Sequence, residues 1–127
     1  MAKKKILLVD DEIDFLQLLK ARLEANGYEV VTAMDGKEAL EKVKKEKPDA
    51  LILDVMMPEV NGLEVLKAIR KDDQHLPIFI ITAFSNEERF KSANQFNASG
   101  FILKTSDLQA EIDKINIVLG IAERYKK

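Results

Sequence analysis

Residues 50–62 read ALILDVMMPEVNG. Ala50 to Leu53 are small or apolar and run straight into an acid, Asp54; two methionines, a proline and Asn61-Gly62 follow. An apolar run of this length, set off by Pro48-Asp49 before it and Pro58 after it, predicts a strand buried on both faces. Asp54 stands where that strand leaves the core. In open parallel α/β sheets, ligands bind outside the carboxyl ends of the strands. The sequence therefore sets a carboxylate at the opening of a crevice.

Working outward, four more apolar runs have the same character. Lys5 to Val9 ends in Asp10-Asp11-Glu12, Tyr28 to Ala33 carries Val30 and Val31, Leu76 to Thr82 reads LPIFIIT, and Gly100 to Lys104 reads GFILK. Between them the apolar period lengthens to that of a helix. Asp14 to Asn26 carries Phe15, Leu16, Leu19 and Leu23 on one face, and Asn26-Gly27 stops it with glycine at the left-handed position. Lys37 to Glu46 turns Ala39, Leu40 and Val43 inward, and Gly62 to Lys71 does so with Leu63, Leu66 and Ile69. Ser85-Asn86-Glu87-Glu88 opens a weaker helix with Phe90 and Ala93 that ends at Asn97, and a long last helix steps through Leu108, Ile112, Ile115, Leu119 and Ala122. Strands alternating with amphipathic helices predict a doubly wound α/β sandwich, a parallel sheet covered on both faces.

The chain has 127 residues, which predicts one domain over residues 1–127. Net charge is −2 with both signs mixed, so no electrostatic case for nucleic-acid binding exists. There is no cysteine, which excludes disulfides and thiolate metal sites. No apolar run reaches the roughly 18 residues of a membrane helix and no secretory signal precedes the first strand, so a cytoplasmic location is expected. His75 lies in the polar loop Asp72-Asp73-Gln74-His75 and is expected at the surface with no catalytic part. Ile117 and Ile121 face away from the apolar stripe of the last helix, either as scattered exposed residues or as a partner or self-association patch.

The strand ends gather Asp10 and Asp11, Asp54, Thr82 and Lys104. Carboxylates in one crevice repel: two unit charges roughly 4 Å apart interact by about 4 kcal/mol at an effective dielectric near 20. Lys104 offsets part of this charge. An oxygen-only cluster suits a hard cation; Mg²⁺ fits best, because it accepts one or two carboxylates and leaves places for phosphate oxygens, with Mn²⁺ and Ca²⁺ left open. Carboxylate, hard cation, lysine and hydroxyl together suggest phosphoryl transfer. Asp54 is then the nucleophile that forms an acyl phosphate, with Lys104 and the cation offsetting the equatorial oxygens and Thr82 donating to one of them.

The segments VDDE at 9–12, LDVMMPEVNG at 53–62, ITA at 81–83 and FILK at 101–104 closely resemble the receiver domain of bacterial two-component response regulators, and the resemblance covers the whole chain. It implies a flavodoxin-like (βα)5 fold with a parallel five-stranded sheet in the order 2-1-3-4-5. It implies that Asp54 accepts a phosphoryl group from a phosphohistidine on a sensor histidine kinase or histidine phosphotransfer protein. Mg²⁺ would be held by Asp11, Asp54 and the backbone carbonyl of Met56, with Asp10 acting through water. Thr82 and Phe101 would form a switch pair, Lys104 would contact the phosphoryl group, and the face built by the fourth helix, fifth strand and last helix would be read by a downstream protein.

The chain departs from the family in places. The family usually has proline after the lysine, often in a cis peptide; Thr105 stands here, and a cis bond to a non-proline residue costs roughly 3–4 kcal/mol. The Lys104–Thr105 peptide is therefore either trans or strained. Asn97 replaces a more usual glycine. Met56 and Phe84, two residues beyond Asp54 and Thr82, are expected to restrict the attacking water and lengthen the phosphoryl lifetime. The chain ends at Lys127, straight after the last helix, which leads us to expect a stand-alone receiver that catalyses only its own phosphorylation and dephosphorylation. Two other functions compete. A haloacid-dehalogenase-like phosphatase would need a second aspartate where Met56 stands, and a phosphate-independent interaction module is kept open by Thr105.

Overall fold

A computed structural model of the chain describes residues 3–54, 62–82, 98–103 and 107–125; the side chains of 62, 63, 82, 103 and 121–125 lie outside the description. The elements are β1 (Lys5–Val9), α1 (Ile13–Ala25), β2 (Glu29–Ala33), α2 (Gly36–Glu46), β3 (Ala50–Asp54), α3 (Gly62–Asp72), β4 (Ile78–Thr82), β5 (Gly100–Leu103) and α4 (Leu108–Tyr125). All strand pairs are parallel and the sheet order is β2-β1-β3-β4-β5. The expected fold class and strand order are therefore the observed ones. The helix expected over 85–97 lies outside the described residues.

Side-chain alternation along the strands divides the core in two. Leu7, Val9, Leu51, Leu53, Ile78 and Ile80 face the inner stripes of α2 and α3, including Ala39, Leu66 and Ile69. Ile6, Leu8, Ile52, Phe79, Ile81 and Ile102 face α1 and α4 through Leu16, Leu19, Leu23, Ile112, Ile115 and Leu119. Every residue of β3 is buried, as the apolar run at 50–53 requires of a central strand. β1 and β3 are locked at their amino ends, where Asp49 accepts from the Lys5 backbone N–H at 2.8 Å and donates its own N–H to the Lys5 carbonyl at 2.7 Å.

Local signals set the helix ends. Gly27, at φ +93°, turns the chain out of α1. Asp35 caps α2 by accepting from the Glu38 N–H at 2.8 Å. Lys47 ends the same helix in the left-handed region at φ 48°. Arg70, buried near the end of α3, donates to the Asp73 carbonyl at 3.2 Å; burial lowers its pKa, against the raising effect of Asp73.

Two strands begin later than the sequence pattern suggests. β2 starts at Glu29, because Tyr28 instead turns into the core and donates its hydroxyl to Asn116 Oδ1 on α4. β4 starts at Ile78, after Pro77, which lacks a backbone N–H and gives only its carbonyl to Leu51. Among the described residues no helix is long and apolar enough to cross a membrane.

Candidate functional site

β1 and β3 are neighbours and run in the same direction, so their carboxyl ends leave the core side by side. Asp54 is the last residue of β3 and Asp10 directly follows β1. The Asp10 N–H donates to the Ala33 carbonyl at 3.1 Å, which extends the β1–β2 ladder by one bond and keeps this acid inside the fold. Asp10 Oδ1 accepts from the Glu12 N–H at 2.9 Å, a side-chain turn that bends the chain into α1.

Carboxylate oxygens of Asp10, Glu12 and Asp54 all lie within 4.8 Å of one another. Asp10 is fully buried and Asp54 is 2% exposed, whereas Glu12 reaches solvent. At 4.8 Å and an effective dielectric near 20, each charged pair repels by about 3.5 kcal/mol. Three oxygen donors at this spacing, with no nitrogen or sulfur among them, fit a hard divalent cation.

The residues singled out from the sequence are distributed as follows. Asp10 and Asp54 are brought together. Asp11 is half-buried and is not one of the three clustered acids. Glu12 takes part instead; the sequence shows it only as the third acid of VDDE. Thr82 ends β4 one residue beyond Ile81, the register partner of Asp54, so its backbone lies at the same end of the sheet. Phe101 on β5 is half-buried and packs against the core layer that faces α2 and α3. Met56, Phe84, Asn97, Lys104 and Thr105 lie outside the described residues, and so does the Lys104–Thr105 peptide. His75 is exposed, its backbone N–H held by Asp73 Oδ1 at 2.8 Å. Ile117 is 63% exposed on α4; the side chain of Ile121 is outside the description.

The pattern that defines the response regulator receiver domain matches residues 6–116. The chain belongs to the response regulator receiver family. This receiver is 32% identical over 121 residues to the polar-differentiation response regulator DivK of Brucella anthropi, covering 94% of this chain and 98% of DivK. It is 50% identical over 84 residues to the alkaline phosphatase synthesis transcriptional regulatory protein PhoP of Bacillus subtilis, covering 66% of this chain and 35% of PhoP. The receiver thus spans about a third of PhoP's length, and 47% of a probable transcriptional regulator ycf27 from Cyanophora paradoxa. Its backbone matches a CheY-like receiver domain protein of Methanospirillum hungatei with a TM-score of 0.92 and 28% identity, over 97% of this chain and 98% of that one.

Proposed function

We propose that this receiver accepts a phosphoryl group on Asp54 from a phosphohistidine of a sensor kinase or phosphotransfer protein. The reading rests on the 2%-exposed Asp54 carboxylate held within 4.8 Å of the Asp10 and Glu12 carboxylates at the strand ends. An Asp54 oxygen attacks phosphorus, the bond from phosphorus to the imidazole nitrogen breaks, and that electron pair returns to the ring. Asp54 then carries an acyl phosphate. In hydrolytic discharge, a water oxygen attacks phosphorus, the aspartyl oxygen leaves as carboxylate, and the water proton goes to solvent with inorganic phosphate.

Asp10, Glu12 and Asp54 would hold Mg²⁺, with Asp11 and the Met56 carbonyl as the further ligands that the family implies. When bound, the ion supplies positive charge against the carboxylates and the phosphoryl oxygens. The roles left to this chain are orientation and charge. Burial fixes the Asp54 carboxylate, Thr82 offers a hydroxyl, and Lys104 offers an ammonium. Ile13 and Met34, 50% and 40% exposed beside the ends of β1 and β2, give an incoming donor protein apolar surface next to the acids.

Phosphorylation adds about −1.5 to −2 charge and three acceptor oxygens. It can shift the fold only through its differential affinity for two conformers. Thr82 and Lys104 reaching the phosphoryl group in one loop arrangement supply that difference, and Phe101, already half in the core, follows inward. The receiver then acts on a protein partner or passes its phosphoryl group on, with no turnover of external substrates, as a cytoplasmic domain. The test is intact mass after incubation with acetyl phosphate and Mg²⁺. A gain of one phosphoryl group in the wild type, absent without Mg²⁺ and in Asp54→Ala, is expected; a folded wild type that gains no mass overturns the reading.

A further inference from the structure

Glu111, in the first turn of α4, is 4% exposed. Its Oε1 accepts from Lys114 Nζ at 3.2 Å, but the Lys114 side chain is 63% exposed, so that ammonium keeps much of its water. The other oxygen, Oε2, is buried with no hydrogen-bond partner among the described residues. Buried carboxylates normally have their oxygens taken up by donors, because the water they lost must be replaced.

The position on the helix says which contact this weakens. At 100° per residue, Ile112, Ile115 and Leu119 point to the sheet. Gln109 and Asn116 point to α1, where Gln109 Nε2 donates to Asn26 Oδ1 at 3.5 Å and Asn116 accepts from the Tyr28 hydroxyl. Glu111 and Val118 occupy the opposite flank. α1 packs on β1 and β2, so the flank turned away from it faces the β5 side of the sheet. An apolar residue at 111 would continue the stripe of α4 there; the chain carries an acid.

We propose that Glu111 is a built-in weak point of the resting fold. Its half-satisfied carboxylate keeps the β5-side flank of α4 in marginal packing, and that flank opens to a minor state in which the carboxylate is hydrated. A ligand or modification that favours the open state draws on a population that already exists. In the phosphorylation reading given above, β5 carries Phe101 and this flank belongs to the face that would change. That use of the device rests on the reading, but the device itself does not.

Amide hydrogen exchange and thermal melting of the full chain, with no phosphoryl donor and no divalent metal, separate the two. Glu111→Leu should slow exchange at the amides of residues 112–119, relative to those of β1, by about tenfold, and raise Tm by about 4 °C. Glu111→Gln, with the same shape and no charge, should change both in the same direction by less. Exchange as fast as wild type or faster in Glu111→Leu, a lower Tm, or failure of that variant to fold overturns the proposal. So does faster exchange in Glu111→Gln, which would make the carboxylate a stabilising group. A failure of Asp54 to take up phosphate leaves these outcomes untouched.

Discussion

Gly100→Ala offers a test of the packing that seats β5. Gly100 is the register partner of Phe79 on β4. A Cβ added at Gly100 would meet Phe79 Cδ1 at 3.2 Å, closer than ordinary contact between carbons, and Cε1 at 3.4 Å, at its edge. Two terms favour the substitution. Alanine lowers the entropy of the unfolded chain by about 0.4–1 kcal/mol, since Gly100 does not need a positive φ. A newly buried methyl adds about 0.8 kcal/mol where it fits. Against them stands overpacking, about 1–3 kcal/mol when the neighbour cannot yield. Phe79 is 2% exposed and sits in the same core layer as Ile81, Ile102, Ile112 and Ile115, so its ring has no free side to move toward. We expect a net loss of about 0.5 kcal/mol, the mid-range penalty of about 2 kcal/mol less the mid-range gain of about 1.5 kcal/mol. Urea unfolding of Gly100→Ala, Phe79→Leu and the double variant measures it. Leucine removes the ring edge, so in that background Gly100→Ala should stabilise by about 1.5 kcal/mol, and the cycle should show coupling of about 2 kcal/mol. Gly100→Ala at least as stable as wild type, or the same effect in both backgrounds, would refute the reasoning.

Two further expectations concern the acids and Tyr28. Mg²⁺ should stabilise the fold by about 2.7 kcal/mol at one hundred times its dissociation constant. Asp10→Asn should raise the metal-free stability by a few kcal/mol, bounded above by two pair repulsions of about 3.5 kcal/mol each, while weakening that Mg²⁺ effect, because it removes the repulsion of one carboxylate from two others; a Mg²⁺-dependent Tm shift equal in the two proteins would place the ion elsewhere. Tyr28→Phe should cost about 0.5–1.5 kcal/mol through the lost bond to Asn116. Burial raises the Tyr28 pKa above 10.0, so the folded protein holds a proton that the unfolded chain gives up. That contribution is complete below pH 10.0 and fades as pH rises through the folded pKa. The stability difference between wild type and Tyr28→Phe should shrink over that window, and a constant difference would contradict the shift.

The sheet was legible because its central strands are unbroken apolar runs between turn residues, a pattern that leaves few alternatives. β3 occupies the expected residues, and Gly27 holds the left-handed position assigned to it. What the sequence concealed depends on direction rather than composition. Glu12 joins Asp10 and Asp54 because Asp10 Oδ1 takes the Glu12 N–H and turns the chain there; the letters D-D-E do not say which acids come together. Tyr28 reads as the start of a strand because tyrosine favours strands, but its partner is Asn116, 88 residues away. Lys47 in the left-handed region leaves no trace in composition, as glycine would. Glu111 looks like one more solvated charge of the last helix, and only its burial separates it from the rest.

The burial of the acids follows from the architecture. β1 and β3 lie inside the sheet and carry helices on both faces, so a residue placed at their ends is shielded from several sides at once. The same acids at the ends of edge strand β2, where Val30, Val31 and Thr32 are only partly buried, would remain hydrated and repel little. Position therefore turns ordinary carboxylates into a cluster that a cation can relieve. It also means that the charge on these acids is coupled to the stability of the two strands that carry them. In the proposed function, a phosphoryl group on Asp54 would enter a region whose charge balance already constrains the core, which is the physical condition for a local modification to reach the surface of the fold.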